Sequence, residues 1–155
     1  MNKNYKEIFE KSRIAGSIAA GALDEVYKII KPGISTEQIN KLCYEYINDH
    51  GAYSAPLFYR GFPKSCCTST NHVVCHGIPS EKILKEGDIV NVDVTAFKDG
   101  WHGDTSRMFY VGEVSVKAKK LIEVLDDFLD LGTYPMFLAR DTTFSLNVAL
   151  SMNTS

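Results

Sequence analysis

The sequence is poor in the features that place a chain quickly. Its four cysteines, Cys43, Cys66, Cys67 and Cys75, fall in no CxxC or zinc-finger spacing, so neither a disulfide scaffold nor a structural zinc module is indicated. Reduced thiols and a cytoplasmic location are the expectation. No run of about 18 apolar residues occurs, which excludes a membrane-spanning helix, and no membrane partner is expected. The opening MNKNYKEIFEKSR lacks the apolar core of a secretory signal. The net charge is −2 and no basic run interleaves with aromatics, so no nucleic-acid partner is expected. There is no internal repeat and no low-complexity segment.

What is present is an ordinary apolar content of 45% in 155 residues, enough for one domain with a real core. The chain is organised around residues 87–112, GDIVNVDVTAFKDGWHGDTSRMFYVG. This reads as two strands joined at Asp99-Gly100, a dipeptide suited to a two-residue hairpin turn because both residues tolerate positive φ. By strand parity Val90, Val92, Val94 and Ala96 face one way and Asn91, Asp93 and Thr95 the other. With Asp99 and Gly100 in the turn, Lys98 pairs with Trp101, Thr95 with Asp104 and Asp93 with Ser106. Asp93 and Asp104 then share a face as diagonal neighbours, about 7–8 Å apart at the backbone.

Two carboxylates at that range repel unless one is protonated or a cation lies between them. A solvated sheet face is the commoner outcome for two strand aspartates. Three details favour a metal site: the polar face is continuous through Asn91, Thr95 and Ser106, Gly103 leaves room beside Asp104, and Arg107 follows. Paired metals in hydrolases sit roughly 3.5–4 Å apart, a span two converging aspartates can serve.

Upstream, the pattern predicts a helix over 4–30 with Ile14, Ile18, Ala22, Val26 and Ile29 as its apolar stripe, ended by Pro32-Gly33. Ser35 and Gln38 form a capping box opening a second helix, whose buried face is Ile39, Leu42, Tyr46 and Ile47. Both helices need a surface to cover, and the downstream strands are the candidate. Residues 51–63 are irregular and aromatic, and Tyr53, Phe58, Tyr59 and Phe62 together are enough to line an apolar pocket. Residues 67–75 read as a strand interrupted at Asn71 and closed by Gly77-Ile78-Pro79. His72 reads as structural, whereas His76 falls at a strand-to-loop boundary where an imidazole can bind or shuttle protons. After the hairpin, Ser115 caps a helix over 117–131 with Leu121, Val124, Leu125 and Phe128 inward and Gly132 as its stop. Residues 133–155 show no clean period and are expected to have low local order.

FPKSCCTSTNHVVCHGIP followed by LKEGDIVNVDVTAFKDGWHGDTSRMFYVG closely resembles the N-terminal half of type I methionine aminopeptidases, and the likeness runs from the first helix to about Val124. The paired NxDV and DGxxGDTSR motifs are highly specific. The resemblance implies an α+β fold, the N-terminal half of a pita-bread architecture with an antiparallel sheet covered by helices. It implies removal of the initiator methionine from nascent proteins, hence a nascent peptide's N-terminal methionine as partner, with transient ribosome association. It also implies two divalent ions, with cobalt, manganese, iron(II) and zinc all compatible with oxygen-rich ligands. By the same resemblance Asp93 binds one ion through both oxygens, Asp104 bridges both, and His76 contacts the scissile peptide as the catalytic histidine of this half. Tyr59, Phe62 and Cys67 border the pocket for the methionine side chain.

The family's further histidine, its two glutamate ligands and its glutamate base belong to a second half. Here all four histidines, His50, His72, His76 and His102, precede the expected position. The RPG-type turn expected after the third helix is also absent. The expectation is therefore a truncated or frameshifted copy, with residues 1–124 as the matching half and 125–155 divergent, inactive on its own. The alternative is a non-catalytic remnant or peptide-binding module. A half-protein without a stable fold is the third possibility, since an uncovered sheet edge is a liability.

Overall fold

A computed structural model describes residues 5–133, with side chains to residue 124. Along it lie helix α1 (Tyr5–Ile29), helix α2 (Thr36–Asp49), strand β1 (Tyr53–Ser54), a 3-10 turn (Tyr59–Gly61), strand β2 (Cys67–Thr70), strand β3 (Ile89–Lys98), strand β4 (Trp101–Tyr110) and helix α3 (Val116–Thr133). The architecture is α+β: one antiparallel sheet with helices laid across it.

The central hairpin forms in the register that parity and turn chemistry require. Lys98 faces Trp101, Thr95 faces Asp104 and Asp93 faces Ser106. Asp99 and Gly100 both take positive φ, at 51° and 89°, as the primed hairpin turn demands. β4 pairs with β3 along its whole length, while β2 and β1 share the other edge, β2 against Val90–Asp93 and β1 against Ala96–Phe97. Val90, Val92, Val94 and Ala96 are fully buried on one face.

That face is covered by α1, which lies on β3 and β4, and by α2, which packs against α1, β1 and β2. The α1 stripe is rotated from the expected one. Ile18, Ala22 and Val26 are buried as predicted, but Ile14 is 43% exposed, Ile29 only half-buried, and Ala15, Ala19 and Leu23 take their places. The cause is a close approach. A Cβ on Gly103 would meet the backbone of Ala15 and Gly16 at 2.2 Å, so the helix sits on the glycine and turns its smallest residues inward. The room left by Gly103 therefore receives α1 on the core face and does not lie beside Asp104.

The capping box of α2 is present: Ser35 Oγ accepts from the Gln38 N–H at 3.2 Å, and the Ser35 N–H donates to Gln38 Oε1 at 2.7 Å. Ile39 and Ile47 are buried with Cys43, which the apolar pattern passed over, while Leu42 and Tyr46 only border the core. β2 stops at Thr70 rather than continuing to residue 75. Asn71 turns left-handed at φ 56°, donates its side-chain amide to Asp88 and accepts the Ile89 N–H, which closes the strand. α3 begins under the Ser115 hydroxyl, which accepts from the Ala118 N–H, and continues through Gly132, so that glycine is not its stop. Among the described side chains of α3 Ile122 is buried, whereas Leu121 and Val124 are each 54% exposed. Leu125 and Phe128 side chains, and the expected low order of 134–155, lie outside the described residues. Among the described residues no helix is long and apolar enough to cross a membrane.

Candidate functional site

The sheet face opposite the helices floors a cleft of about 800 Å³, and all six candidate residues, Asp93, Asp104, His76, Tyr59, Phe62 and Cys67, line it. The hairpin delivers Asp93 and Asp104 to one face. β2 brings Cys67 directly opposite Asp93 on the other edge of β3. His76 arrives by a separate device. The Thr68 N–H donates to the Gly77 carbonyl at 2.7 Å and the Gly77 N–H to Ser69 Oγ at 3.1 Å, laying that segment along β2. A Cβ on Gly77 would meet the Thr68 carbonyl oxygen at 2.2 Å, so only glycine permits the approach, and His76 beside it is left-handed at φ 54°.

The aromatic loop is less irregular than its sequence suggests. It holds β1 and the 3-10 turn, and only two of its four rings reach the cleft. Tyr59 and Phe62 line it. Phe58 is 75% exposed, and Tyr53 donates its hydroxyl to the Leu57 carbonyl at 2.9 Å, outside the lining.

Electrostatics mark Asp93. Burial, and next the neighbouring Asp104 charge, raise its carboxyl from the usual carboxylate range to about 6, against a lowering pull from His76. The Cys67 thiol is raised to about 11, first by burial and then by Asp93, which makes it a poor nucleophile at neutral pH. Asp104 differs from Asp93 in having a donor: Thr95 Oγ1 donates to its Oδ1 at 2.7 Å. Thr95 and His102 also line the cleft. His102 was legible by the parity that paired the aspartates, since it lies two residues from Asp104 on the same strand, and its ring rests 4.7 Å from Phe97 across the ladder. Arg107 belongs elsewhere. By register it lies opposite the buried Val92, and its guanidinium pairs with Asp24 of α1 at 2.9 Å. His72 is exposed and outside the lining.

Two carboxylates on one face, one of them raised to about 6 by burial and then by the charge of the other, are a donor pair suited to divalent ions that accept oxygen ligands. Among the described residues no group of three or more His, Cys, Asp or Glu converges, so the pair fits one side of such a centre and does not complete it.

Fold and cleft together define one half of a pita-bread metallopeptidase. The profile of metallopeptidase family M24 matches residues 10–136, and the chain belongs to that family. It is 56% identical over 124 residues to a methionine aminopeptidase of Rickettsia prowazekii (strain Madrid E), covering 80% of this chain and 48% of that one. To the methionine aminopeptidase of Escherichia coli (strain K12) it is 50% identical over 127 residues, covering 81% of this chain and 48% of the relative. The crystal structure of methionine aminopeptidase from Rickettsia prowazekii superposes with a TM-score of 0.81 at 53% identity, over 85% of this chain and 53% of that one. The chain thus spans about half the length of the curated relatives it matches.

Proposed function

We propose that this chain carries the first half of a methionine aminopeptidase active site, directed at the N-terminal methionine of newly made proteins in the cytoplasm. The observation that supports it is the convergence of Asp93 and Asp104 beneath an apolar-walled cleft. In this reading Tyr59, Phe62 and Cys67 border the methionine side chain, and His76 contacts the peptide bond to be cut. Asp93 and Asp104 are the residues of this half that would hold the divalent ions, each through its carboxylate. Thr95 steadies the Asp104 carboxylate through the hydrogen bond to its Oδ1. A divalent ion bound there supplies Lewis acidity and lowers the pKa of bound water. The protein's own part is to exclude water around the first side chain and to present the peptide bond to His76. Cobalt, manganese, iron(II) and zinc all suit the donors, and a transient association with the ribosome goes with the substrate. The unit carrying the cleft is taken as residues 1–124, with 125–155 a separate segment beginning inside α3.

Hydrolysis by the chain alone is proposed to be negligible. Only two candidate metal donors converge among the described residues, and no general base, a group commonly worth about 10²–10⁴ in rate, is assigned among them. The same shortfall favours the second reading, a peptide-binding module without hydrolysis. Incubation of the purified chain with Mn²⁺ or Co²⁺ and a Met-Ala-Ser peptide separates them when paired with a binding measurement. Methionine-dependent binding with little turnover is the expected result. Turnover near that of a full-length relative, abolished by Asp93→Ala, would overturn the inactivity, and a lack of methionine-dependent binding would overturn the function.

A further inference from the structure

The rim of the cleft contains a built platform that the hydrolytic reading leaves unused. Between residues 58 and 61 three backbones are left-handed, Phe58 at φ 66°, Arg60 at 48° and Gly61 at 84°. Two of them are not glycine, a conformation that persists only where the surroundings hold it. The surroundings do so here. The Phe58 N–H donates to the Phe62 carbonyl at 2.7 Å, the Phe62 N–H to the Tyr59 carbonyl at 2.9 Å, and the Tyr59 N–H to the Pro56 carbonyl at 3.0 Å. The loop therefore fixes the root of Arg60 at the cleft.

Arg60 lines the cleft, is exposed, and rests its guanidinium 5.5 Å from the centre of the Tyr59 ring. It forms no ion pair among the described residues, although Asp93 and Asp104 line the same cleft. A stacked guanidinium with its fork of donors unclaimed is suited to a carboxylate, which it engages through two parallel hydrogen bonds.

We propose that Arg60 selects bound peptides by the charge of the residues that follow the first one, favouring a carboxylate there. This rests on the peptide-binding reading given above. The carboxylate is either an acidic side chain or the free C-terminus of a short peptide. The prediction runs against the rest of the cleft, because the two aspartates alone would favour lysine in the same peptide.

The test uses the whole chain and measures binding of Met-Ala-Glu-Glu-Ser, Met-Ala-Gln-Gln-Ser and Met-Ala-Lys-Lys-Ser amides by calorimetry. Met-Ala-Ser as free acid and as amide separates the C-terminal source from the side-chain one. The acidic peptide is expected to bind about threefold tighter than the neutral one, the size of an exposed ion pair, with the lysine peptide weakest and the differences shrinking in high salt. Arg60→Glu should invert the order and Arg60→Lys keep it. Arg60→Gly, which suits the left-handed backbone, should remove the preference for the acidic peptide and leave only the weaker preference for lysine that the two aspartates set. An order unchanged in Arg60→Glu overturns the proposal. Methionine-dependent binding that ignores peptide charge also overturns it while leaving the peptide-binding function standing. No methionine-dependent binding overturns both.

Discussion

Thr95 and Asp104 lie directly opposite one another on β3 and β4, and the threonine hydroxyl donates to the aspartate across the ladder at 2.7 Å. Asp93, one pleat along β3, has no hydrogen-bond donor among the described residues, and it is the carboxyl raised to about 6. The two acids are therefore unequal before any ion binds. One is oriented by a neighbour, and the other is buried beside a like charge.

The threonine is expected to matter through the aspartate it holds. Replacing Thr95 by Val removes the donor while keeping shape and strand propensity. Weak Mn²⁺ binding, read by electron paramagnetic resonance, should fall by about tenfold, the low end of what a residue behind a metal ligand is worth. Asp104→Asn should lose it altogether. Equal Mn²⁺ affinity in Thr95→Val and the parent would show that the bond orients nothing.

Asp93 should make the metal-free protein less stable at neutral pH than in mild acid. Its folded value near 6 lies above the unfolded value of about 3.9, so between those values the folded chain holds the extra proton. Stability contributed by this group is therefore intact below about pH 4, declines as pH rises through 4 to 6, and stays reduced above. With allowance for its part exposure the loss is about 1–2 kcal/mol. Urea unfolding in chelator from pH 3.5 to 7.5, compared with Asp93→Asn, isolates it. The asparagine variant should gain that amount at pH 7 and lose the step, so parallel curves would rule the effect out.

Gly103→Ala should cost about 3 kcal/mol or more, because the added methyl meets helix backbone that has no side chain to swing away. Gly21→Ala is the control. Its methyl would meet the Tyr46 hydroxyl, the far end of a movable side chain, and alanine regains about 1 kcal/mol of helix propensity. Similar thermal midpoints for the two variants would contradict the close packing of α1 on β4.

Ser35→Ala and Gln38→Ala each break one arm of the α2 capping box and should each cost about 1 kcal/mol. Because the arms act as a unit, the double variant should cost less than the two losses added together. Strict additivity by denaturant titration would mean that the arms do not cooperate.

Much of this arrangement was legible in the residues. The Asp99-Gly100 turn, the alternation along β3 and the Ser35–Gln38 box are local signals, and each formed as read. The misses share a physical origin. Gly103 and Arg107 neighbour Asp104 in sequence, yet neighbours on a strand at odd separation face opposite ways, and both lie on the helix side. Periodicity runs the α1 stripe through large residues such as Ile14 and Ile29, but a helix seated on a glycine also buries Ala15 and Ala19. The exposure of Leu121 and Val124 depends on where α3 lands, which periodicity alone does not encode. His76 stands out in the sequence by its boundary position, while the contact that delivers it, Gly77 against Thr68, joins segments with no mutual signature in sequence.

The tight turn between β3 and β4 also sets when the acidic pair comes into being. Closing a short loop takes about 10–100 ns and forming a hairpin about 1–10 μs, whereas contacts between distant segments wait on costlier loop closures. Asp93 and Asp104 are joined by such a hairpin, so they can meet as soon as the chain has emerged as far as Tyr110. The charge repulsion between them is thus present as soon as the hairpin closes, before the helices cover its other face.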